Sequence, residues 1–500
     1  MFIVGLLILL QFLFLTFGIW KLADSFVYLY SILTLVSLFV VVYIVSTEDN
    51  PSYKLAWTIP VLAFPVFGGL FYLIFGLKKT TKRFREKILK IHNETEYLLD
   101  QNEEVLDEIY KQDKHFYTQA KYLKDYASSP IYKNTITEYL SPGEEFFKVL
   151  IEELKKARHY ILFEYFIIEE GKMWDEILEI LEEKVGQGVD VRLIYDDMGC
   201  LTTLHYKYYE KLRQKGIKTV VFNPFVPFLS VIMNNRDHRK ITVIDGHTAF
   251  IGGINLADEY INEKERFGYW KDASIMLKGD AVWKITMMFL QVWKFTTGEE
   301  IEFEKYKPYI NYTGKFECDG YVQPYGDTPL DNEAVGENVY LNIINKAKDY
   351  VYIVTPYLIV DNELVTALTV AAKGGIDVRI VTPHIPDKWY VHRVTRAYYP
   401  QLLKAGVKIY EYTPGFIHSK TFVSDDEIGV VGTINMDYRS LYLHFECGVL
   451  LYKTKSINEI KEDFLDILSK SQEISIEDCR KERLSNRFIA AILRVFAPLM

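Results

Sequence analysis

The sequence predicts an α/β protein: two homologous α/β sandwich halves with a pseudo-two-fold active site, preceded by N-terminal transmembrane helices. Three observations carry this. Long uncharged apolar sequence is confined to residues 1–77. The body repeats itself with a period of about 190 residues, too long for a solenoid and right for a duplicated domain. One polar motif occurs once in each repeat.

The apolar end comes first. Residues 1–20, 27–45 and 55–77 contain no charged side chain, and each is long enough for a bilayer core of roughly 30 Å. We read all three as spans. The first has no basic flank or small-residue cleavage site of the kind a signal peptide carries. The third holds Pro60, Pro65 and the pair Gly68–Gly69, which predicts a kinked span or, as the sharper alternative, a re-entrant hairpin. A run of cations follows it, from Lys78 and Lys79 to Lys87 and Lys90. Positive charge marks the cytoplasmic flank, so residue 78 onward is expected in the cytoplasm. Residues 78–129 read as a basic, helical connecting segment.

Two α/β halves follow, expected over 130–310 and 311–475. Lys156-Ala-Arg-His-Tyr-Ile is echoed by Lys346-Ala-Lys-Asp-Tyr-Val, and Gly188-Val-Asp-Val-Arg by Gly375-Ile-Asp-Val-Arg. In each copy amphipathic helices alternate with short β-branched strands, the pattern of a sheet covered by helices. Residues 480–500 close the chain as an amphipathic helix. Phe488, Ile492, Val495, Phe496 and Leu499 fall near one face and Arg487 and Arg494 toward the other, as on a helix lying on anionic lipid.

The repeated motif carries the chemistry. His238-Arg-Lys240-Ile-Thr-Val-Ile-Asp245 leads to Gly252-Gly-Ile-Asn255. His418-Ser-Lys420-Thr-Phe-Val-Ser-Asp425 leads to Gly432-Thr-Ile-Asn435. On a strand, residues i and i+2 share a face, so each His and its Lys are expected to enter one cleft. Two imidazoles, two ammonium groups and two amides suit a phosphate. One imidazole can attack phosphorus while the other protonates the leaving alkoxide. Lys240, Lys420, Asn255 and Asn435 can stabilise charge on the phosphoryl oxygens. No oxygen cage for a metal and no phosphate-binding glycine loop is evident, so neither cofactor nor metal is expected. Asp245 and Asp425 belong to the motif but read as supports of the local loop. The remaining histidines, His444 among them, read as structural.

The paired motifs resemble those of the phospholipase D superfamily. The resemblance implies two phospholipase D-type halves, a phosphohistidine on His238, and His418 as general acid and base. It also implies a carboxylate downstream of each His that orients its imidazole, which falls on Asp272 after His238 and on Glu446 after His418. The blocks Tyr269-Trp-Lys-Asp272, Thr355-Pro-Tyr357, Gly415-Phe-Ile-His418 and the tail Arg494-Val-Phe-Ala-Pro-Leu499 are similar to those of bacterial cardiolipin synthases. That family implies transfer of a phosphatidyl group between two phosphatidylglycerol molecules, giving cardiolipin and glycerol, in a multi-pass protein of the bacterial cell membrane. The segment at 1–20 departs from the usual two spans, and Pro324-Tyr-Gly-Asp-Thr-Pro329 lacks a common Ser-Gly-Pro. Other outcomes on the same scaffold are a membrane phospholipase D or another phosphatidyltransferase such as a phosphatidylserine synthase.

Composition narrows the field. Lys and Arg number 58 against 67 Asp and Glu, a net charge of -9, which argues against nucleic acid as partner. The expected partners are phosphatidylglycerol and anionic membrane lipid. Four cysteines without C-x-x-C spacing argue against a zinc or disulfide framework.

Overall fold

A computed structural model describes residues 10–499, apart from 11–12, 14–15, 18–22, 66, 77–80, 225–233, 313 and 317–319. The expected first span lies largely outside the described residues. The chain divides into two compact units, one of residues 1–84 with 227–234 and 491–500, the other holding the rest.

In the first unit, helix α1 (Ala23–Ser46) contains the apolar stretch Val27–Ser46, 20 residues long. At 1.5 Å per residue that is about 30 Å, a bilayer core. The segment expected to cross as a third span does not form one helix. It breaks into α2 (Pro51–Ala63) and α3 (Gly68–Phe75). The two fold back on each other: the rings of Trp57 and Tyr72 lie 5.2 Å apart, where one straight helix would separate these residues by about 22 Å. Gly68 permits the reversal, because a Cβ there would meet Val61 Cα at 2.6 Å. The turn is covered by α1, whose Ser37 hydroxyl donates to the Pro65 carbonyl at 2.7 Å. Broken backbone among apolar side chains needs such a partner. The prolines and glycines therefore break the segment into a helical hairpin.

The second unit holds the duplicated body. The first seven-stranded sheet uses β1 (Thr135–Leu140), β2 (Tyr160–Tyr165), β3 (Asp190–Asp196), β4 (Lys218–Phe222), β5 (Lys240–Ile244), β6 (Thr248–Gly252) and β8 (Ser274–Gly279), with β7 (Tyr269–Lys271) apart from it. Its order is β1-β8-β6-β5-β2-β3-β4. The second half adds β9 (Tyr321–Asp327), β10 (Tyr350–Val354), β11 (Leu358–Ile359), β12 (Asp377–Pro383), β13 (Lys408–Tyr412), β14 (Gly415–Ile417), β15 (Thr421–Ser424), β16 (Ile428–Gly432), β17 (Met436–Asp437), β18 (Glu446–Tyr452) and β19 (Ser471–Ile474). Its eight-stranded sheet runs β9-β18-β16-β15-β10-β12-β13-β19, the same order with one strand added at the edge. The repeat in the sequence is thus a repeat of topology. In both sheets the β2/β3/β4 type of strand is parallel and the motif strand is antiparallel to its neighbours.

Two helices lock the halves together. Helix Val282–Thr297 packs on β4 and β5 of one sheet and β9 of the other, and helix Ser456–Ser469 on β1 of one and β15 of the other. Buried side chains such as Trp293, Phe289, Phe464 and Ile460 fill these contacts. Each fully buried aromatic or aliphatic side chain of this kind contributes about 1.5–3 kcal/mol. The two-fold interface is therefore part of the core.

Candidate active site

Each motif His sits at the mouth of its strand rather than on it. His238 precedes β5, and His418 follows β14. The expectation of a shared strand face is corrected in that respect. Both are held by backbone bonds from the opposite half: His238 N donates to Phe445 O at 2.9 Å, and His418 N to Lys271 O at 2.7 Å. Both are nearly buried, 8% and 7% exposed.

The carboxylates are exchanged between the halves. Sequence order suggested that Asp272 serves His238 and Glu446 serves His418. Instead His238 Nδ1 donates to Glu446 Oε1 and Oε2 at 2.9 and 3.0 Å, and His418 Nδ1 donates to Asp272 Oδ2 at 2.6 Å. The cause is the register of short pairings across the two-fold. β7 pairs in parallel with β14, matching Lys271 to Ile417, so the next residues, Asp272 and His418, become neighbours. Asp237 bridges Phe445 in the same way, which brings together His238 and Glu446.

The exchange fixes the tautomers. Burial opposes ionisation of both carboxylates, but the imidazoles and Lys420 beside them prevail and hold both below the ordinary range. An ionised carboxylate only accepts, so the proton sits on each Nδ1 and Nε2 is the free ring nitrogen. Burial lowers both imidazoles, His238 to about 3 and His418 to about 4. Burial also lowers the lysines, Lys240 to about 8 and Lys420 to about 7. Lys240 Nζ donates to the His238 carbonyl at 2.5 Å, and Lys420 Nζ to the His418 carbonyl. An ammonium has three donors, so each keeps others for a ligand.

The supporting shells differ in one detail. Gly253 makes room for Asp272, since a Cβ there would meet Oδ1 at 2.2 Å. In the other half Thr433 stands at that place, and its hydroxyl donates to Glu446 Oε2 at 2.5 Å. Asn255 accepts from Ile167 N at 3.0 Å and donates to the Tyr260 hydroxyl at 2.6 Å. Asn435 donates to Ser440 Oγ at 3.1 Å.

Asp245 and Asp425 do not join the site. Each lies at the far end of the motif strand with positive φ and accepts three backbone N–H bonds, Asp245 from Arg158, His159 and Tyr160, Asp425 from Lys348, Asp349 and Tyr350. They tie the motif strand to the start of β2 or β10. Both motif carboxylates thus bind backbone at the strand end rather than entering the cleft.

Four flanking rings escaped the motif. Phe166 and His444 stand beside His238, with ring centroids 5.0 and 5.6 Å away. Tyr260 and Trp270 stand beside His418 at 5.6 and 5.5 Å. His444, read as structural, is in the site. Aligning the repeats on Asp272 and Glu446 would have found it, because Trp270 and His444 then fall at the same place.

Comparisons with known proteins agree with this architecture. Residues 150–279 and 340–468 match a family described as "Cardiolipin synthase, PLD-like domain", and residues 32–76 match "Phospholipase_D-nuclease N-terminal". A cardiolipin synthase of a Geobacillus species is 36% identical over 504 residues, covering 100% of this chain and 99% of that one. A cardiolipin synthase of Alkalihalophilus pseudofirmus is 36% identical, covering 94% and 93%. An uncharacterized protein of Streptococcus mutans is 45% identical, covering 92% and 99%. The crystal structure of phosphatidylserine synthase from Haemophilus influenzae aligns with TM-score 0.57 at 15% identity, covering 76% of this chain and 97% of that one; it speaks to the fold.

Proposed function

The chain belongs to the cardiolipin synthase family of phospholipase D-like enzymes, and on that premise we propose that it joins two phosphatidylglycerol molecules into cardiolipin and glycerol through a phosphatidyl group carried on His238. The observation that carries the reading is the pair of imidazoles, each with Nδ1 tied to a carboxylate of the other half and with no hydrogen bond to Nε2 among the described residues.

Nε2 of His238 attacks phosphorus, a P–N bond forms, and the bond from phosphorus to the glycerol oxygen breaks. The proton goes to glycerol from Nε2 of His418. In the ligand-free site His418 holds that proton weakly, and the negative charge of the arriving phosphodiester favours its uptake. The terminal hydroxyl of the second phosphatidylglycerol then gives its proton back to His418 and attacks phosphorus, releasing His238. Glu446 stabilises the charge on His238 while the phosphatidyl group is attached. Lys240 and Lys420 face the non-bridging oxygens, with the second amide hydrogens of Asn255 and Asn435 available beside them. One phosphodiester replaces another, so no nucleotide is consumed. Burial of both His residues keeps water from competing with the lipid hydroxyl.

The membrane end supports a surface-bound enzyme. We place α1 across the bilayer and the α2–α3 hairpin as a re-entrant element, which returns the chain to the side where α2 began. The basic run after residue 77 then lies in the cytoplasm together with the loop 47–50 and the catalytic halves. Helix Leu484–Val495 exposes Leu484, Phe488, Ile492 and Val495, a face suited to the same anionic surface.

Purified chain given labelled phosphatidylglycerol vesicles with chelator tests the reading. Cardiolipin with equimolar glycerol, lost in His238→Ala and His418→Ala, is expected. Phosphatidic acid without cardiolipin would make water the acceptor and replace this reading by a hydrolase.

A further inference from the structure

The pseudo-two-fold is broken beside the nucleophile. Trp270 lies two residues before Asp272 and its ring sits 5.5 Å from that of His418 at 48°. His444 lies two residues before Glu446, with its ring 5.6 Å from that of His238 at 43°. The places are equivalent and the geometry nearly the same. A tryptophan there is a wall. A histidine adds two ring nitrogens.

Neither nitrogen of His444 has a hydrogen-bond partner among the described residues, although the side chain is only 10% exposed. Buried imidazole nitrogens are ordinarily paired. Nδ1 of His444 lies 3.7 Å from Glu446 Oε1, the same oxygen that His238 Nδ1 meets at 2.9 Å. The three ligand atoms lie within 4.8 Å of one another. In a tetrahedral site with bonds of 2.0–2.2 Å, neighbouring ligand atoms stand about 3.4 Å apart. The two measured edges bracket that spacing.

We propose that His238, His444 and Glu446 form an inhibitory site for a divalent transition ion of the Zn2+ class. Two imidazoles and one carboxylate suit Zn2+ or Co2+, and not Mg2+ or Ca2+, which take oxygen cages. The ion takes the Nδ1 lone pair of the other tautomer of His238, in which the ring proton has moved to Nε2. It thereby replaces the hydrogen bond from His238 to Glu446 and leaves Nε2 protonated, with no lone pair to attack phosphorus. The fourth position stays open to water or a phosphoryl oxygen. The half built around His418 has Trp270 in place of the third ligand and forms no such site. The inhibition rests on the reading of His238 as nucleophile, whereas the binding does not.

The test uses the full chain in detergent, first freed of metal with chelator. Co2+ titration should reach one ion per chain with the intense visible absorption of a four-coordinate ion. Zn2+ should suppress transfer of the labelled lipid, and chelator should restore it. His444→Asn should weaken Co2+ binding and raise the Zn2+ needed for inhibition, each measured against its own activity in chelator, by about tenfold or more. His444→Trp, which copies the other half, serves if the Asn variant does not fold. Equal Zn2+ sensitivity in wild type and variant, or no stoichiometric Co2+ binding, would overturn the proposal. Stoichiometric Co2+ binding that depends on His444 without loss of activity would keep the site and discard the nucleophile assignment.

Discussion

Glu446, on the second half, holds His238 of the first: the imidazole Nδ1 donates to both of its carboxylate oxygens, at 2.9 and 3.0 Å, across 208 residues of sequence. Asp272 returns the arrangement on His418. Neither half is a complete site, which explains why the interface between them is built as core.

The exchange predicts which chemical step each carboxylate serves. Glu446→Gln should slow formation of the phosphatidyl-enzyme, and Asp272→Asn should slow protonation of the leaving group. Losses of about 10²–10⁴ in kcat are expected, the range for removing the partner that fixes a catalytic imidazole. A substrate with a p-nitrophenolate leaving group needs no proton. It should rescue the burst of Asp272→Asn and leave that of Glu446→Gln slow. Rescue of the Gln variant instead would return the carboxylates to their own halves.

The lysines predict a falling alkaline limb. Lys420 and Lys240 are lowered to about 7 and about 8, so they lose charge as pH rises through that window. His418 at about 4 holds its proton ever more weakly over the same range, so both effects have one sign. The value of kcat/KM, which reports the free enzyme, should drop steadily from pH 7 to 9. Lys420→Arg, charged throughout, should shallow the limb. A flat profile would contradict the assignment.

Asp245 should matter for stability and little for chemistry. It accepts three backbone N–H bonds far from the imidazoles. Asp245→Ala should cost about 3 kcal/mol or more, since bonds to a charged acceptor contribute about 1.5–3 kcal/mol each. Thermal melting checks this, and activity well below the melting point should stay within about threefold of wild type. A full loss of kcat in a folded variant would place Asp245 in the chemistry.

The hairpin predicts topology. With cysteine introduced at Asp49 or at Glu86, a membrane-impermeant thiol reagent should label both from the cytoplasmic side of inverted vesicles. Labelling from opposite sides would mean that residues 51–77 cross the bilayer.

The two motifs were legible because four functional groups recur at one spacing, and spacing is what a sequence displays. The partnership of Glu446 with His238 was hidden, since it depends on β7 pairing with β14 and Asp237 with Phe445, contacts made only when the halves meet. His444 was hidden because a single histidine outside a motif looks like any other. The hairpin was half visible: Pro65 and Gly68 announce a break, but its direction depends on Trp57, Tyr72 and Ser37 meeting in space.

The most direct test of the central claim is to trap the intermediate. His418→Asn incubated with a ³²P-phosphatidyl donor carrying a p-nitrophenolate leaving group, which needs no proton, should hold label on the protein, because the second lipid hydroxyl lacks its base. Acid-labile, alkali-stable label mapped to the peptide containing His238 is the predicted result. Label on His418 in the converse His238→Asn variant, or no covalent label in either while the wild type still makes cardiolipin, would contradict the account.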